Sequence, residues 1–148
     1  MKGDDLFMQE ALKEALKSQG RGEVPVGAVL VSGGKILCRA HNECIARNDP
    51  TAHAEIIALR KGSRMMNNYR LPGCVLYVTL EPCVMCLGAA VQARIERLVF
   101  GAHDSKSGAV MSVMKFPFNK MNHRIAIDGG VLAEECGKML RDFFKEKR

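Results

Sequence analysis

Two short stretches combine side chains that can hold a metal ion and use it. The stretch "HAE" contains His53 and Glu55, and the stretch "PCVMC" contains Cys83 and Cys86. On a helix the C-x-x-C spacing places both thiols on one face, close enough to share a metal. One imidazole and two thiols suit zinc and leave a fourth tetrahedral position for water. The set therefore predicts a catalytic zinc site in which Glu55, a carboxylate that is not a ligand, carries protons.

Each half of this set has a simpler interpretation on its own. C-x-x-C is also typical of a redox pair or of half a structural zinc site, and a lone histidine is more often a partly buried polar group than a ligand. A structural zinc site needs a fourth protein ligand, for which the sequence offers Cys38, Cys44, Cys74 and His41. None of these has a partner at ligand spacing. The combination of H-x-E with P-C-x-x-C is far more specific than either half.

Alternating helical and strand-like patterns surround the two motifs. A strand, helix, strand succession implies parallel strands joined by a right-handed crossover. The pattern therefore predicts a three-layer α/β domain around a mixed sheet. Asp4 and Asp5 are the predicted N-cap of the first helix, and Gly33 and Gly34 form the turn of a hairpin. The predicted helices cover residues 4–20, 53–66, 83–96 and 132–148, and the predicted strands cover residues 26–31, 35–42, 72–80, 97–104 and, more weakly, 123–130.

The predicted helix starts bring the two motifs to one edge of the sheet. Thr51 is a suitable N-cap that places His53 and Glu55 in the first turn, and Pro82 suits a helix start beside Cys83. Each helix follows a strand-like segment. Both N-termini should therefore point to the edge where the carboxyl ends of parallel strands collect ligands. The positive end of the helix dipole there also stabilises thiolates, the form that a metal needs.

The composition indicates one globular domain with a basic surface. The chain has 148 residues, of which 47% are hydrophobic and 26% charged, and one core is enough for that length. We therefore expect a single domain at residues 1–148. The net charge of +6 favours a polyanionic partner. The N-terminal stretch is acidic and no apolar run reaches membrane-spanning length, so we expect a cytoplasmic protein with reduced cysteines.

Several stretches together resemble the family of bacterial tRNA-specific adenosine deaminases: "EVPVGAVLV", "HN", "DPTAHAEIIALR", "LYVTLEPCVMC", "FGAHDSKSG", "MNHR" and "DFF". The resemblance implies a three-layer α/β/α, cytidine-deaminase-like fold with a central mixed five-stranded sheet, one Zn²⁺ per subunit and a homodimer. It also implies hydrolysis of the wobble adenosine of a tRNA anticodon stem-loop to inosine. In that reading Glu55 passes a proton to N1 of adenine as hydroxide attacks C6, and then protonates the departing ammonia.

The resemblance extends to four substrate-binding candidates outside the zinc motif. Asn42 resembles the asparagine that holds the target nucleoside, and Asp104 and Lys106 match a loop beside the pocket. Phe144 is a candidate for stacking on RNA. Adjacent Phe143 and Phe144 cannot both face RNA from one helix, so at least one of the two belongs to the core. Simpler interpretations stay open, namely an asparagine that closes a hairpin arm and a solvated loop. The stretch "SVMKFPFNKMNHR" could be substrate rim or dimer surface. Because the resemblance implies a homodimer, its Met and Phe residues favour the dimer surface.

Two other functions share parts of this pattern. A zinc deaminase that acts on a free base or nucleoside, such as guanine or cytidine, would have the same metal motif but would need no basic rim. A non-catalytic RNA-binding domain with a structural zinc ion would need a fourth protein ligand and would have no use for Glu55.

Overall fold

The fold is built on one five-stranded sheet. The computed structural model describes residues 3–147, so residues 1 and 2, and Arg148 of the predicted terminal helix, lie outside the described part. The strands run in the spatial order β2-β1-β3-β4-β5. They are β1 (Gly27–Ser32), β2 (Lys35–His41), β3 (Val75–Leu80), β4 (Arg97–Ala102) and β5 (Ala126–Asp128).

Strand direction places several carboxyl ends at one edge of the sheet. β1 pairs antiparallel with both β2 and β3, whereas β3 pairs parallel with β4, and β4 with β5. Hence β2, β3, β4 and β5 all point the same way, and β1 runs against them. The predicted mixed five-stranded sheet is confirmed.

Helices cover both faces of this sheet. They are α1 (Asp4–Gln19), α2 (Cys44–Arg47), α3 (Ala54–Met66), α4 (Val84–Ala93) and α5 (Ala133–Glu146). Successive strand residues face opposite sides, and two buried clusters follow from that alternation. Met8 of α1 and Cys136 of α5 pack on Val99 in one cluster, while Ile57 of α3 and Leu87 of α4 lie in the other. The three-layer α/β/α prediction is therefore confirmed.

Glycines are required at one close approach of two elements and at one turn. At Gly27, an added Cβ would lie 1.9 Å from the carbonyl oxygen of Ala11, so the backbone of α1 rests directly against β1. Gly33 and Gly34 both have positive φ, 58° and 77°, and form the predicted turn between β1 and β2.

The predicted N-cap of the first helix is wrong. Gly3 occupies the N-cap position of α1, and no side chain caps the helix. Asp4 instead lies buried in the first turn, where its carboxylate accepts hydrogen bonds from the Tyr77 hydroxyl and the Arg97 guanidinium. The guanidinium holds the pKa of Asp4 well below its usual range. The Asp4 carboxylate therefore forms a buried ion pair and does not cap the helix.

The predicted starts and ends of other helices also shift. Thr51 is not the cap of α3, because its N–H and hydroxyl both bond to the Asp49 carboxylate, and His53 occupies the N-cap position. The helix predicted over 83–96 ends earlier, where Arg94 adopts a left-handed conformation with φ 60° and turns the chain into β4. The short helix α2 was not predicted. Among residues 3–147, no helix is both long and apolar enough to cross a bilayer.

Candidate active site

His53, Cys83 and Cys86 meet at the edge formed by the carboxyl ends of the parallel strands. His53 Nδ1 lies 3.7 Å from Cys83 Sγ and 3.5 Å from Cys86 Sγ. Tetrahedral zinc with bonds of about 2.3 Å to sulfur and about 2.0 Å to nitrogen would place N and S about 3.5 Å apart. The donor set and its spacing therefore fit a zinc ion without rearrangement.

Helix starts position all three side chains. His53 is the N-cap residue of α3, Cys83 is the N-cap residue of α4, and Cys86 lies in the first turn of α4. The free N–H groups and the positive dipole end of α4 favour negative charge there. Hydrogen bonding from Cys86, and then from His53, lowers the pKa of Cys83 to about 4. These contacts favour the thiolate of Cys83, the form that binds metal, whereas the contact with Cys83 and burial raise the pKa of Cys86.

The described residues offer no fourth protein ligand. Within residues 3–147, no other His, Cys, Asp or Glu joins His53, Cys83 and Cys86 as a group that could hold a metal. Cys38 donates to the carbonyl oxygen of Ala58, and the remaining candidates named from the sequence lie outside the group. The described residues therefore do not support a structural zinc site with four protein ligands. Three candidate ligands support a site with one open coordination position.

Glu55 lines the same cavity as His53 and Cys83 but does not belong to the group of three side chains that could hold a metal. Its side chain is almost fully enclosed, with the residue 4% exposed, and burial raises the pKa of the carboxyl. A buried carboxyl with a raised pKa holds a proton more firmly than an exposed one and is suited to accept and return one.

A cavity of about 790 Å³ opens over this group. That volume is in the range of small-molecule and nucleoside sites. Cys86, which is 1% exposed, does not line the cavity. The other seven residues singled out from the sequence do: Asn42, His53, Glu55, Cys83, Asp104, Lys106 and Phe144. Segments from five parts of the chain thus converge on one pocket.

Asn42 ties the end of β2 to the start of α3. Its side-chain oxygen accepts a hydrogen bond of 2.8 Å from the Ala54 N–H, and its amide nitrogen donates to the Val24 carbonyl oxygen at 3.2 Å. The first contact satisfies a free N–H at the helix start, which Thr51 was expected to do. Because an amide has two donors and two acceptor lone pairs, Asn42 keeps capacity for a ligand in the cavity.

Asp104 and Lys106 lie on a tight loop opposite α5. The Asp104 carboxylate accepts hydrogen bonds from the backbone N–H groups of Lys106 and Ser107 and from the Ser107 hydroxyl. Lys106 Nζ lies 5.0 Å from the centroid of the Phe144 ring, a cation–π contact across the mouth of the cavity. Phe143 is 6% exposed and Phe144 39%, so Phe144 is the ring that reaches the rim.

Glu81 is a residue of the cavity wall that the sequence reasoning missed. It follows β3 and is 2% exposed. Burial alone would raise its pKa, but hydrogen bonds from the Met111 N–H and from Ser112 lower the pKa of Glu81 to about 2. The available signal was an acidic residue between an apolar strand and Pro82.

Comparisons with known proteins identify the family. The sequence profile of the MafB19-like deaminases matches residues 2–148. The tRNA-specific adenosine deaminase of Haemophilus influenzae is 52% identical over 147 residues, which cover 98% of this chain and 85% of the relative. The chain belongs to the family of tRNA-specific adenosine deaminases. The tRNA-specific adenosine deaminase of Bacillus subtilis is 47% identical, over 100% of this chain and 92% of the relative.

A solved structure supports membership of the tRNA-specific adenosine deaminase family. It comes from studies of A-to-I editing by tRNA:A34 deaminases at the wobble position of transfer RNA. The two chains superpose with a TM-score of 0.87 at 43% identity, covering 91% of this chain and 99% of the other. The cytidine-deaminase-like fold predicted from the sequence is therefore confirmed for this deaminase.

Proposed function

We propose that the protein hydrolyses adenosine to inosine at the wobble position of a tRNA anticodon. The observation that carries this proposal is the meeting of His53, Cys83 and Cys86 with the buried, non-ligand Glu55 in one cavity. Relatives of similar length that are 52% and 47% identical are tRNA-specific adenosine deaminases, which supports the choice of substrate. Residues 1–148 would then form a single deaminase domain.

The metal in this proposal is one Zn²⁺ per subunit, held by His53, Cys83 and Cys86. When bound, zinc supplies Lewis acidity that makes water a nucleophile near neutral pH. Glu55 accepts a proton from the attacking water and delivers it to N1 of the adenine ring as the water oxygen forms a bond to C6. It then takes the second proton from the new C6 hydroxyl and gives it to the exocyclic amine, which leaves as ammonia when the C6–N6 bond breaks, so that water and adenosine give inosine and ammonia.

The remaining walls of the cavity hold the substrate. Asn42 is placed to bind the target nucleoside with the donor and acceptor that it does not use internally. Asp104 and Lys106 meet ribose and phosphate groups from the opposite loop. Phe144 stacks on a base of the anticodon loop, where a stacked base contributes about 1–3 kcal/mol. The net charge of +6 suits a polyanionic RNA partner.

The proposal includes a homodimer that works where tRNA is, in the cytoplasm. Met111, Val113 and Met114 expose apolar side chains close together in the chain, and such surface is typical of a subunit contact. Sedimentation equilibrium of the metal-loaded protein should show a dimer at micromolar concentration. A monomer at all concentrations would contradict this part of the proposal.

An assay with matched RNA and nucleoside substrates tests the proposed function. The protein should convert the wobble adenosine of an anticodon stem-loop to inosine and leave free adenosine, cytidine and guanine unchanged at equal concentration. Turnover of a free base or nucleoside with no turnover of the stem-loop would contradict the proposal. RNA affinity should also fall with salt, with a log–log slope of about −0.7 for each phosphate contact. A flat dependence would favour a small substrate.

A further inference from the structure

Glu81 is the centre of a hydrogen-bond cluster that organises one wall of the cavity. Its Oε1 accepts a bond of 3.1 Å from the Asp104 N–H and a short bond from the Ser112 hydroxyl. Its Oε2 accepts bonds from the N–H groups of Val110, Met111 and Ser112, at 3.0, 2.9 and 3.1 Å. Five donors therefore converge on one buried carboxylate.

The loop at residues 104–112 is wrapped around this carboxylate. Gly108 shows how closely, because an added Cβ would lie 2.5 Å from Glu81 Cδ and 2.6 Å from the Asp104 carbonyl oxygen. The loop is also bonded to Pro82, the residue after Glu81, because the Ala109 N–H donates to the Pro82 carbonyl oxygen at 2.9 Å. The loop thus has its fixed point at residues 81 and 82, directly before Cys83.

We propose that Glu81 is a positioning residue that holds the loop at 104–112 in place over the cavity for RNA binding. This inference rests on the proposed function, because it assigns Asp104 and Lys106 to the substrate. Glu81 itself stays behind the loop, with its oxygens engaged by backbone donors. It therefore acts on the substrate through the loop, and its loss should weaken binding more than chemistry.

Glu81→Gln removes one acceptor at constant size. If the amide oxygen stays at the Oε2 position, where three N–H groups point, the amide nitrogen faces the Asp104 N–H, and that donor loses its partner. The Ser112 hydroxyl can rotate and accept instead. The change therefore releases the loop at Asp104, the residue that faces the cavity. Glu96→Gln is the matched control, because it makes the same chemical change at an exposed glutamate outside the cavity wall.

A second variant disturbs the same contact from the loop side. Gly108→Ala forces the loop away from Glu81 without changing the carboxylate. Gly20→Ala is its control, because the added Cβ meets only ordinary contacts of 3.7 Å. This pair keeps the test available if Glu81→Gln does not fold.

The test separates KM from kcat with an anticodon stem-loop as substrate and with metal content measured on the same samples. For Glu81→Gln and Gly108→Ala we expect KM to rise about tenfold or more, as for one lost charge-assisted hydrogen bond, with kcat and metal content close to wild type. Glu96→Gln and Gly20→Ala should keep the wild-type KM. An unchanged KM, or a fall in kcat alone, would overturn the assignment.

Amide hydrogen exchange provides a readout that does not depend on turnover. The N–H groups of Asp104, Val110 and Met111 should be protected in the wild type. In Glu81→Gln the Asp104 N–H should exchange faster, while Val110 and Met111, which keep an acceptor oxygen, and α3 keep their protection. Unchanged exchange at Asp104 would overturn the inference. If the wild type does not edit the stem-loop, the proposed function fails, whereas the exchange result still decides whether Glu81 holds the loop.

Discussion

Replacing Glu55 by glutamine tests the proton-carrier role at constant side-chain shape. Glu55 is 4% exposed and shares the cavity with two other acidic residues, Glu81 and Asp104. Neither can take over its role, because the oxygens of both are occupied by N–H and hydroxyl donors of the loop at 104–112. The variant therefore removes the carboxyl of the cavity wall whose pKa is raised by burial.

The expected loss follows from the number of proton transfers assigned to Glu55. A single general acid or base contributes about 10²–10⁴-fold to the rate. Glu55 serves two transfers, to N1 and to the departing amine, so we expect kcat to fall by about 10⁴-fold, which is about 5.4 kcal/mol in the barrier. Burial disfavours the ionised carboxyl in the fold. The neutral amide should therefore not lower the midpoint of thermal unfolding.

The assay is single-turnover inosine formation on an anticodon stem-loop, with metal content and thermal unfolding measured on the same preparation. Glu96→Gln, at an exposed glutamate outside the cavity wall, should keep the wild-type rate. Glu55→Gln should keep its metal and its fold and lose turnover. A rate within about tenfold of the wild type, at full metal content, would refute the proton-carrier assignment.

Three further predictions concern stability and the ligand set. Asp4→Asn breaks a buried ion pair with Arg97, and we expect the free energy of unfolding at pH 7 to fall by about 3 kcal/mol in urea titrations. The ion pair lowers the pKa of Asp4. The stability that the pair contributes is therefore complete above the unfolded-state pKa of about 3.9 and is lost as the pH falls towards the folded-state pKa. Asp4→Asn should accordingly lose less stability on acidification than the wild type. Gly27→Ala places a Cβ 1.9 Å from the Ala11 carbonyl oxygen, and its unfolding midpoint should fall sharply, whereas a midpoint equal to the wild type would contradict the packing of α1 on β1. Cys83→Ser should lose metal, measured by elemental analysis, and turnover while circular dichroism keeps the α/β signature, and full metal retention would contradict the ligand assignment.

The meeting of the two motifs could be predicted because it depends on sheet topology. "HAE" follows β2 and "PCVMC" follows β3, and both strands deliver their carboxyl ends to one edge. Parallel direction and short connections were enough to bring His53 near Cys83. The adjacent rings of Phe143 and Phe144 likewise showed that one must be buried. Which one depends on how α5 is rotated against β4, and only the packing decides that.

Contacts between distant parts of the chain explain what the sequence did not predict. The caps assigned to Asp4 and Thr51 followed local preference, but an arginine 93 positions away bonds to Asp4, and Asp49 holds Thr51 in a turn. Glu81 was missed for the same reason. Its donors belong to a loop 23–31 positions later in the chain that has no periodic pattern.

The most direct test of wobble-specific editing is to map the inosine that the metal-loaded protein forms in total bacterial tRNA. Sequencing of the treated and untreated pools reads inosine as guanosine, so each edited position appears as a change from adenosine. A wobble-specific deaminase should convert the first anticodon position of tRNAs that carry adenosine there, and no other adenosine. Absence of conversion, or conversion spread over other exposed adenosines, would contradict wobble-specific editing.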